Sequence, residues 1–158
     1  MTDDIKHRIK YEPETGIFVW VDCKKKSLNG KNLGVYDKDG YLTAKINQIR
    51  YRLHRLAWFV CYGKWPSQQI DHINGIKDDN RLCNLRLANN SENNCNRPAQ
   101  SNNLLGVRGV RFNNNRYQAL ICKDKKQIVL GSFKTLMEAQ HAYQTAAKEL
   151  HGDYRYVK

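Results

Sequence analysis

The chain has 158 residues, 41% hydrophobic and 10% aromatic, which is enough for one ordinary domain or two small ones with a packed core and excludes global disorder. Lysine and arginine number 27 against 15 aspartates and glutamates, a formal charge of +12, and that surplus points to a polyanionic partner, nucleic acid above all. The absence of a long apolar run and of a strongly basic amphipathic helix argues against a membrane partner.

The first ten residues, MTDDIKHRIK, contain no apolar signal core, so an intracellular protein is expected. Residues 1–53 read as short strands. In YEPETGIFVW, Pro13 and Gly16 form a turn before the β-favouring Ile17–Trp20. GYLTAKI and IRYRL flank Asn47-Gln48 and predict a hairpin. HRLAWFVCYGKWP predicts a helix from His54 to Tyr62, with Leu56, Phe59 and Val60 inward, Gly63 as its stop and Pro66 as a second breaker.

Ile70–Ile73 is a short strand, Asn74-Gly75 a turn, and Lys77–Asn80 a polar loop. Asn84–Leu87 is a second short strand. Asn90 or Ser91 caps a short helix over Glu92–Arg97, which Pro98 ends. Residues 98–105, PAQSNNLL, read as a linker.

Beyond the linker, GVRGVRF, RYQALIC and QIVLGSF predict three successive strands, with turns at Asn113–Asn115 and Lys123–Lys126. Thr135 and Glu138 fit the S/T-x-x-E capping box of a helix whose one face carries Leu136, Ala139, Tyr143, Ala146 and Leu150. Gly152 stands where a left-handed C-terminal cap is expected. Tyr117, Ala119 and Ile121 share the strand face that meets this helix, and Arg116, Gln118 and Leu120 form a mixed outer face. The five cysteines, Cys23, Cys61, Cys83, Cys95 and Cys122, are odd in number and contain no C-x-x-C pair, which speaks against a disulfide framework and against a four-cysteine zinc site.

The stretch QIDHINGIKDDNRLCNLRLANNSENNCNR concentrates candidate chemistry. Hydrolysis of a phosphodiester needs a base for water, a cation at the phosphate and stabilisation of the leaving oxygen. Imidazole titrates near neutrality, so His72 is a candidate base. Asp71 offers a carboxylate and Asn93 an amide oxygen to a hard divalent ion, with Asn94 and Asn96 as rivals for the amide role. Adjacent residues on a regular strand face opposite sides, so Asp71 and His72 share a site only if the strand ends or kinks there.

The segments DHINGIKDDN, CNLRLA and NSENNCNR, preceded by HRLAWFVCYGKWP, resemble the HNH or ββα-metal nucleases, most strongly the phage and homing-endonuclease branch. The resemblance implies that Asp71 binds the metal, that His72 is the general base and that Asn84 braces the loop between the strands through backbone hydrogen bonds. It implies a second metal ligand nine residues after Asn84, at Asn93. Many relatives carry His there, and Asn suits one Mg²⁺ or Mn²⁺ better than Zn²⁺. Arg97, four residues on and on the same helix face, is a candidate contact to the scissile phosphate. His54 and Arg55 are candidate DNA contacts or packing groups.

Residues 106–152 resemble the AP2 DNA-binding domain through RGVR, RYQALI, LGSF and EAQHAYQTAAKELHG. That resemblance implies a sheet laid in the major groove, with Arg108, Arg111, Arg116, Gln118 and Gln127 as candidate contacts. Asn113–Asn115, Leu120 and Cys122 depart from plant relatives, so a target sequence is not carried over.

The expected fold is α+β. Short antiparallel strands and a helix lead into a ββα-metal core (1–97, motif 69–97), followed by a linker (98–105) and a separate three-stranded antiparallel sheet on one helix (106–158). The expected function is metal-dependent HNH cleavage of double-stranded DNA by a monomer that nicks or a dimer that cuts both strands. The alternative is a non-catalytic sequence-specific DNA-binding regulator that uses the fold as scaffold.

Overall fold

The short apolar runs of the N-terminal half fold into three small antiparallel sheets, as seen in a computed structural model that describes residues 2–23, 25–100, 102–123 and 125–156. Ser101 of the expected linker and Asp124 of the expected second turn lie outside the described residues. The chain divides into two units, Met1–Asn89 and Asn90–Lys158. The sequence expectation put the break at 97, so the helix carrying Asn93 falls in the second unit.

The first unit opens with a helix the sequence reading did not expect, α1 (Thr2–Arg8), in a region read as strands. Its Ile5 is buried in the core and its last turn carries Lys6, His7 and Arg8. β1 (Ile9–Glu12) pairs antiparallel with β2 (Ile17–Trp20) through a turn that ends at Gly16. β3 (Val35–Tyr36), β4 (Leu42–Ile46) and β5 (Ile49–Arg52) form the second sheet. Asn47 and Gln48, at φ 50° and 68°, make the tight β4–β5 turn with both residues left-handed, a conformation asparagine tolerates and a right-twisted hairpin requires. α2 (Leu53–Tyr62) stops at Gly63, whose φ of 71° lets its N–H close on the Phe59 carbonyl. β6 (Gln69–His72) and β7 (Leu85–Ala88) form the third sheet.

One core serves all three sheets. Phe18, Ile46, Leu53, Leu56 and Phe59 are almost wholly buried, and each contributes about 1.5–3 kcal/mol by leaving water. Trp65 stacks on Phe59 and on Tyr51, at ring distances of 4.5 and 5.4 Å. Ile70 and Leu85 pin β6 and β7 to the same core.

The second unit begins with α3 (Asn90–Cys95), displaced two residues N-terminal of the expected span. β8 (Val110–Asn113), β9 (Arg116–Lys123) and β10 (Lys126–Phe133) form an antiparallel sheet with β9 central. Asn114 and Asn115 turn β8 into β9, again with both φ positive. α4 (Leu136–His151) packs on this sheet, its Ala139 against Val110 and Ala119. Its N-terminus carries the complete capping box, with Glu138 N–H donating to Thr135 Oγ1 and the Thr135 N–H donating to Glu138. Gly152 caps the other end with φ 54° but ψ −128°, outside the left-handed helical well expected there. Leu120, expected on a mixed outer face, is buried.

The β1–β2 turn is pressed against the loop between β6 and β7. The Leu82 N–H donates to the Pro13 carbonyl at 3.0 Å. A Cβ on Gly16, where φ is +73°, would lie 2.5 Å from the Arg81 nitrogen and 2.7 Å from the Asn80 carbonyl carbon. Gly16→Ala is therefore expected to cost at least about 2 kcal/mol in urea unfolding, from backbone overlap added to left-handed strain. Gly30→Ala, at φ +79° with nothing within 4 Å, is expected to cost only about 1 kcal/mol. Equal losses at the two positions would contradict the close contact.

Candidate functional site

β6 ends at His72. The Gly75 N–H donates to the His72 carbonyl at 2.8 Å and the Ile73 N–H to the Asn84 carbonyl at 2.9 Å, so the chain turns directly after the Asp-His pair. Both side chains are buried, Asp71 at 5% and His72 at 4% exposure. They have different neighbours, as strand alternation requires. Asp71 faces its cross-strand partner Arg86, whose Nε and Nη2 donate to Oδ2 at 2.8 and 2.6 Å. His72 faces Asn80, His54 and Tyr41.

Sequence reasoning passed over Arg86. The signal was present in the hairpin register, since β6 and β7 pair so that position 71 lies opposite position 86. A buried carboxylate needs such a partner.

His72 Nε2 lies 3.3 Å from Asn80 Oδ1. The His54 ring meets the His72 ring edge-on at 5.1 Å, and Tyr41 lies 5.1 Å from His54 and 5.9 Å from His72. Arg52 and Lys77 stand over the Tyr41 ring at 4.3 and 5.2 Å. Burial lowers the pKa of His72 below the ordinary histidine value, against a smaller opposing effect of the Asn80 hydrogen bond. Burial, with the adjacent His72, lowers His54 to about 3. Both rings are therefore neutral at neutral pH, the state a proton acceptor needs. His54, by sequence either a DNA contact or a packing group, is 5% exposed and takes the packing role, against the candidate base. Arg55 donates to the Gln68 and Pro66 carbonyls at 3.4 and 3.3 Å and so holds the segment leading into β6.

The loop 73–84 is closed by amide groups. Asn84 Oδ1 accepts from the Asn74 N–H at 3.0 Å, and its Nδ2 donates to Asn74 Oδ1 at 3.0 Å and to the Asp79 carbonyl at 2.8 Å. Asp79 is paired with Arg81, which holds its carboxyl at about 2. Tyr11 Oη donates to the Asn80 carbonyl at 2.8 Å. Tyr36 Oη donates to Asp78 at 2.7 Å, and Lys77 Nζ to the Asp39 carbonyl at 2.7 Å. The N-terminal strands thus tie down the loop that carries the candidate chemistry, a role the sequence did not assign them.

The remaining candidates belong to the second unit. Asn93 is half-buried on α3, and Arg97 is exposed just beyond it. Arg108 is half-buried and donates to the carbonyls of Arg97 and of Asn94, the latter at 2.8 Å, so it closes the C-terminal end of α3. Arg111 donates to Gln118 at 2.9 Å; Arg116 and Gln127 are exposed. A cleft of about 850 Å³ lies between α3, β8, β9 and α4, and on its wall Cys95 Sγ is 3.4 Å from His151 Nδ1. Burial raises the thiol and lowers the imidazole, so neither group of this pair is charged at neutral pH.

Among the described residues no group of three histidines, cysteines, aspartates or glutamates is placed to hold a metal ion. The oxygen donors singled out from sequence, one carboxylate and one amide, are hard ligands and fit a divalent cation such as Mg²⁺ in chemical type. All five cysteines are free, and no helix among the described residues is long and apolar enough to cross a membrane.

Comparison with known proteins places this chain in a family. A family model described as HNH endonuclease matches residues 51–99. An uncharacterized HNH endonuclease of Acanthamoeba polyphaga mimivirus is 31% identical over 141 residues, covering 88% of this chain and 73% of its own length. Protein 3.8 of Escherichia phage T7 is 31% identical over 106 residues, covering 65% of this chain and 87% of its own. No solved structure matches the chain.

The buried histidine pair makes stability acid-sensitive. Both rings bind protons more weakly in the folded protein than in the unfolded chain, so stability is full above the unfolded value of about 6.5 and falls as pH drops below it. The loss grows toward pH 3, the folded value of His54. His54→Phe keeps a ring and removes one titrating group. Thermal melts are expected to show a smaller fall in Tm between neutral pH and about pH 5 for this variant than for wild type.

Proposed function

We propose, from the premise that this chain belongs to the HNH endonuclease family, that it hydrolyses phosphodiester bonds of double-stranded DNA at a site centred on His72. The observation that carries the reading is the placement of His72, a buried imidazole next to Asp71 at the end of β6, directly before a loop fixed by Asn84. HNH nucleases generally use divalent metal ions.

In this reading His72 takes a proton from the attacking water. Asn84 keeps the loop in the shape that presents His72. Asp71 and Asn93 are the residues that would hold one Mg²⁺ or Mn²⁺, which when bound would supply electrostatic stabilisation of charge on the phosphate and the departing oxygen. Arg86 holds the Asp71 carboxylate in place through Oδ2. Arg97 contacts the phosphate beside the scissile bond. The products are a 3′ hydroxyl and a 5′ phosphate. One site cuts one strand, so a monomer nicks and a dimer, or two visits, cuts both.

The reader in this proposal is the part of the second unit beyond α3, an AP2-like module over 106–158. Its three-stranded antiparallel sheet backed by one helix supports that assignment, as does the cationic side-chain content of β8 and β9. Arg111, Arg116, Gln118 and Gln127 are its proposed DNA contacts. Arg108, with two donors engaged by the end of α3, is better suited to shaping the unit than to reading bases.

His72→Ala is expected to lower nicking of supercoiled plasmid in Mg²⁺ by at least about 100-fold, with duplex binding unchanged in a mobility-shift assay. Full activity in that variant would remove His72 as the base, and a wild type that binds but never nicks would favour the regulator. Arg116→Ala is expected to weaken duplex binding and to reduce the slope of log affinity against log salt by about 1, the loss of one phosphate contact. An unchanged slope would take Arg116 off the DNA surface.

A further inference from the structure

Asn80 is 1% exposed and held from both directions along the backbone. Its carbonyl accepts from Tyr11 Oη at 2.8 Å, and its N–H donates to the Asp78 carbonyl at 3.0 Å. Its side-chain Oδ1 is the atom 3.3 Å from His72 Nε2, while its Nδ2 has no hydrogen-bond partner among the described residues. The β1–β2 turn backs it, with no room even for a methyl group at Gly16.

A neutral imidazole carries one proton, and the hydrogen bond made by one ring nitrogen fixes what the other can do. An amide oxygen can only accept. Facing Nε2, it requires the proton there and leaves the lone pair on Nδ1. The rings of His54 and Tyr41, at 5.1 and 5.9 Å, restrict rotation of the His72 ring.

We propose that Asn80 is a positioning residue whose side-chain oxygen holds His72 as the Nε2–H tautomer, so that Nδ1 is the nitrogen that takes the proton from water. The assignment of Nδ1 as base rests on the nuclease reading; the tautomer itself does not. The Nε2–H bond to Asn80 stays intact during proton transfer, and the imidazolium formed has protons on both nitrogens. Its new positive charge remains beside the amide oxygen, which favours it. The opposite amide orientation, with Nδ2 donating to Nε2, would place the proton on Nδ1 and block that nitrogen as a base.

Long-range ¹H–¹⁵N correlation of the full chain, labelled at histidine and studied in mildly alkaline buffer, reads the tautomer directly. The expected pattern for His72 is Nε2–H in wild type and in Asn80→Asp, whose carboxylate can only accept, and a mixture of tautomers in Asn80→Leu. In plasmid nicking, Asn80→Leu is expected to lose about 10–100-fold at unchanged duplex affinity, with Asn80→Asp restoring most of that loss. A wild-type Nδ1–H pattern overturns the proposal without any variant. Inversion of the tautomer in Asn80→Asp overturns it, and so does a pure Nε2–H pattern in folded Asn80→Leu. The expected tautomers in a protein that never cuts DNA would remove the nuclease reading and leave the tautomer assignment standing.

Discussion

The loop between β6 and β7 is fixed by amide hydrogen bonds, and these hold the turn that directly follows the Asp71-His72 pair. Its two isoleucines, Ile73 and Ile76, are exposed, so apolar burial does not hold it. Asn84 reaches across the loop to Asn74 and Asp79, and Asn74 in turn meets the Ile76 N–H at 2.9 Å and the Asp79 carboxylate at 2.6 Å. A short amide both donates and accepts, so one asparagine can satisfy two backbone groups that a tight loop would otherwise leave unpaired. Each bond contributes only about 1 kcal/mol net, but breaking one leaves a buried polar group unpaired at a cost of about 1–3 kcal/mol. The asparagine-rich stretch is thus largely the loop's internal scaffold.

That scaffold sets a contrast between two adjacent residues. Asp71 is directed to Arg86, where a buried carboxylate finds a guanidinium. His72 is directed into a pocket of neutral rings and an amide, where desolvation disfavours its charged form. Strand alternation, which at first reading counted against a shared role, is what allows the two environments to differ within one residue step. The metal-binding acid and the neutral base of the proposed function would need such different surroundings.

The features legible in the sequence were those encoded within a few residues. Asn47-Gln48 and Asn113–Asn115 gave the two hairpins, Gly63 the end of α2, and Thr135 with Glu138 the start of α4. These signals act through local backbone geometry, so neighbours suffice to read them. What stayed hidden depends on contacts across tens of residues. Tyr11 lies 69 positions from Asn80, and nothing near either marks the pair. The sequence left His54 open between a packing group and a DNA contact, because it stands beside Arg55 at a helix start; packing against Tyr41 and His72 turns it inward. α1 was missed because, with Ile5 its buried apolar residue, it offers no apolar stripe to read.

The division of the chain gives Arg108 a meaning its motif did not. The match to the HNH family spans 51–99, yet the first unit ends at Asn89, so α3 and its Asn93 belong with the C-terminal sheet. Within that second unit Arg108, two residues before β8, donates to carbonyls at the end of α3. A six-residue helix is too short to persist by itself, and unpaired carbonyls at its end would weaken it further. The guanidinium supplies the missing donors and adds positive charge at the negative end of the helix. The proposed metal ligand is then carried by a helix whose C-terminal end is held by an arginine of the proposed reader, so loss of Arg108 would disturb the amide donor as well as the anchor between α3 and β8.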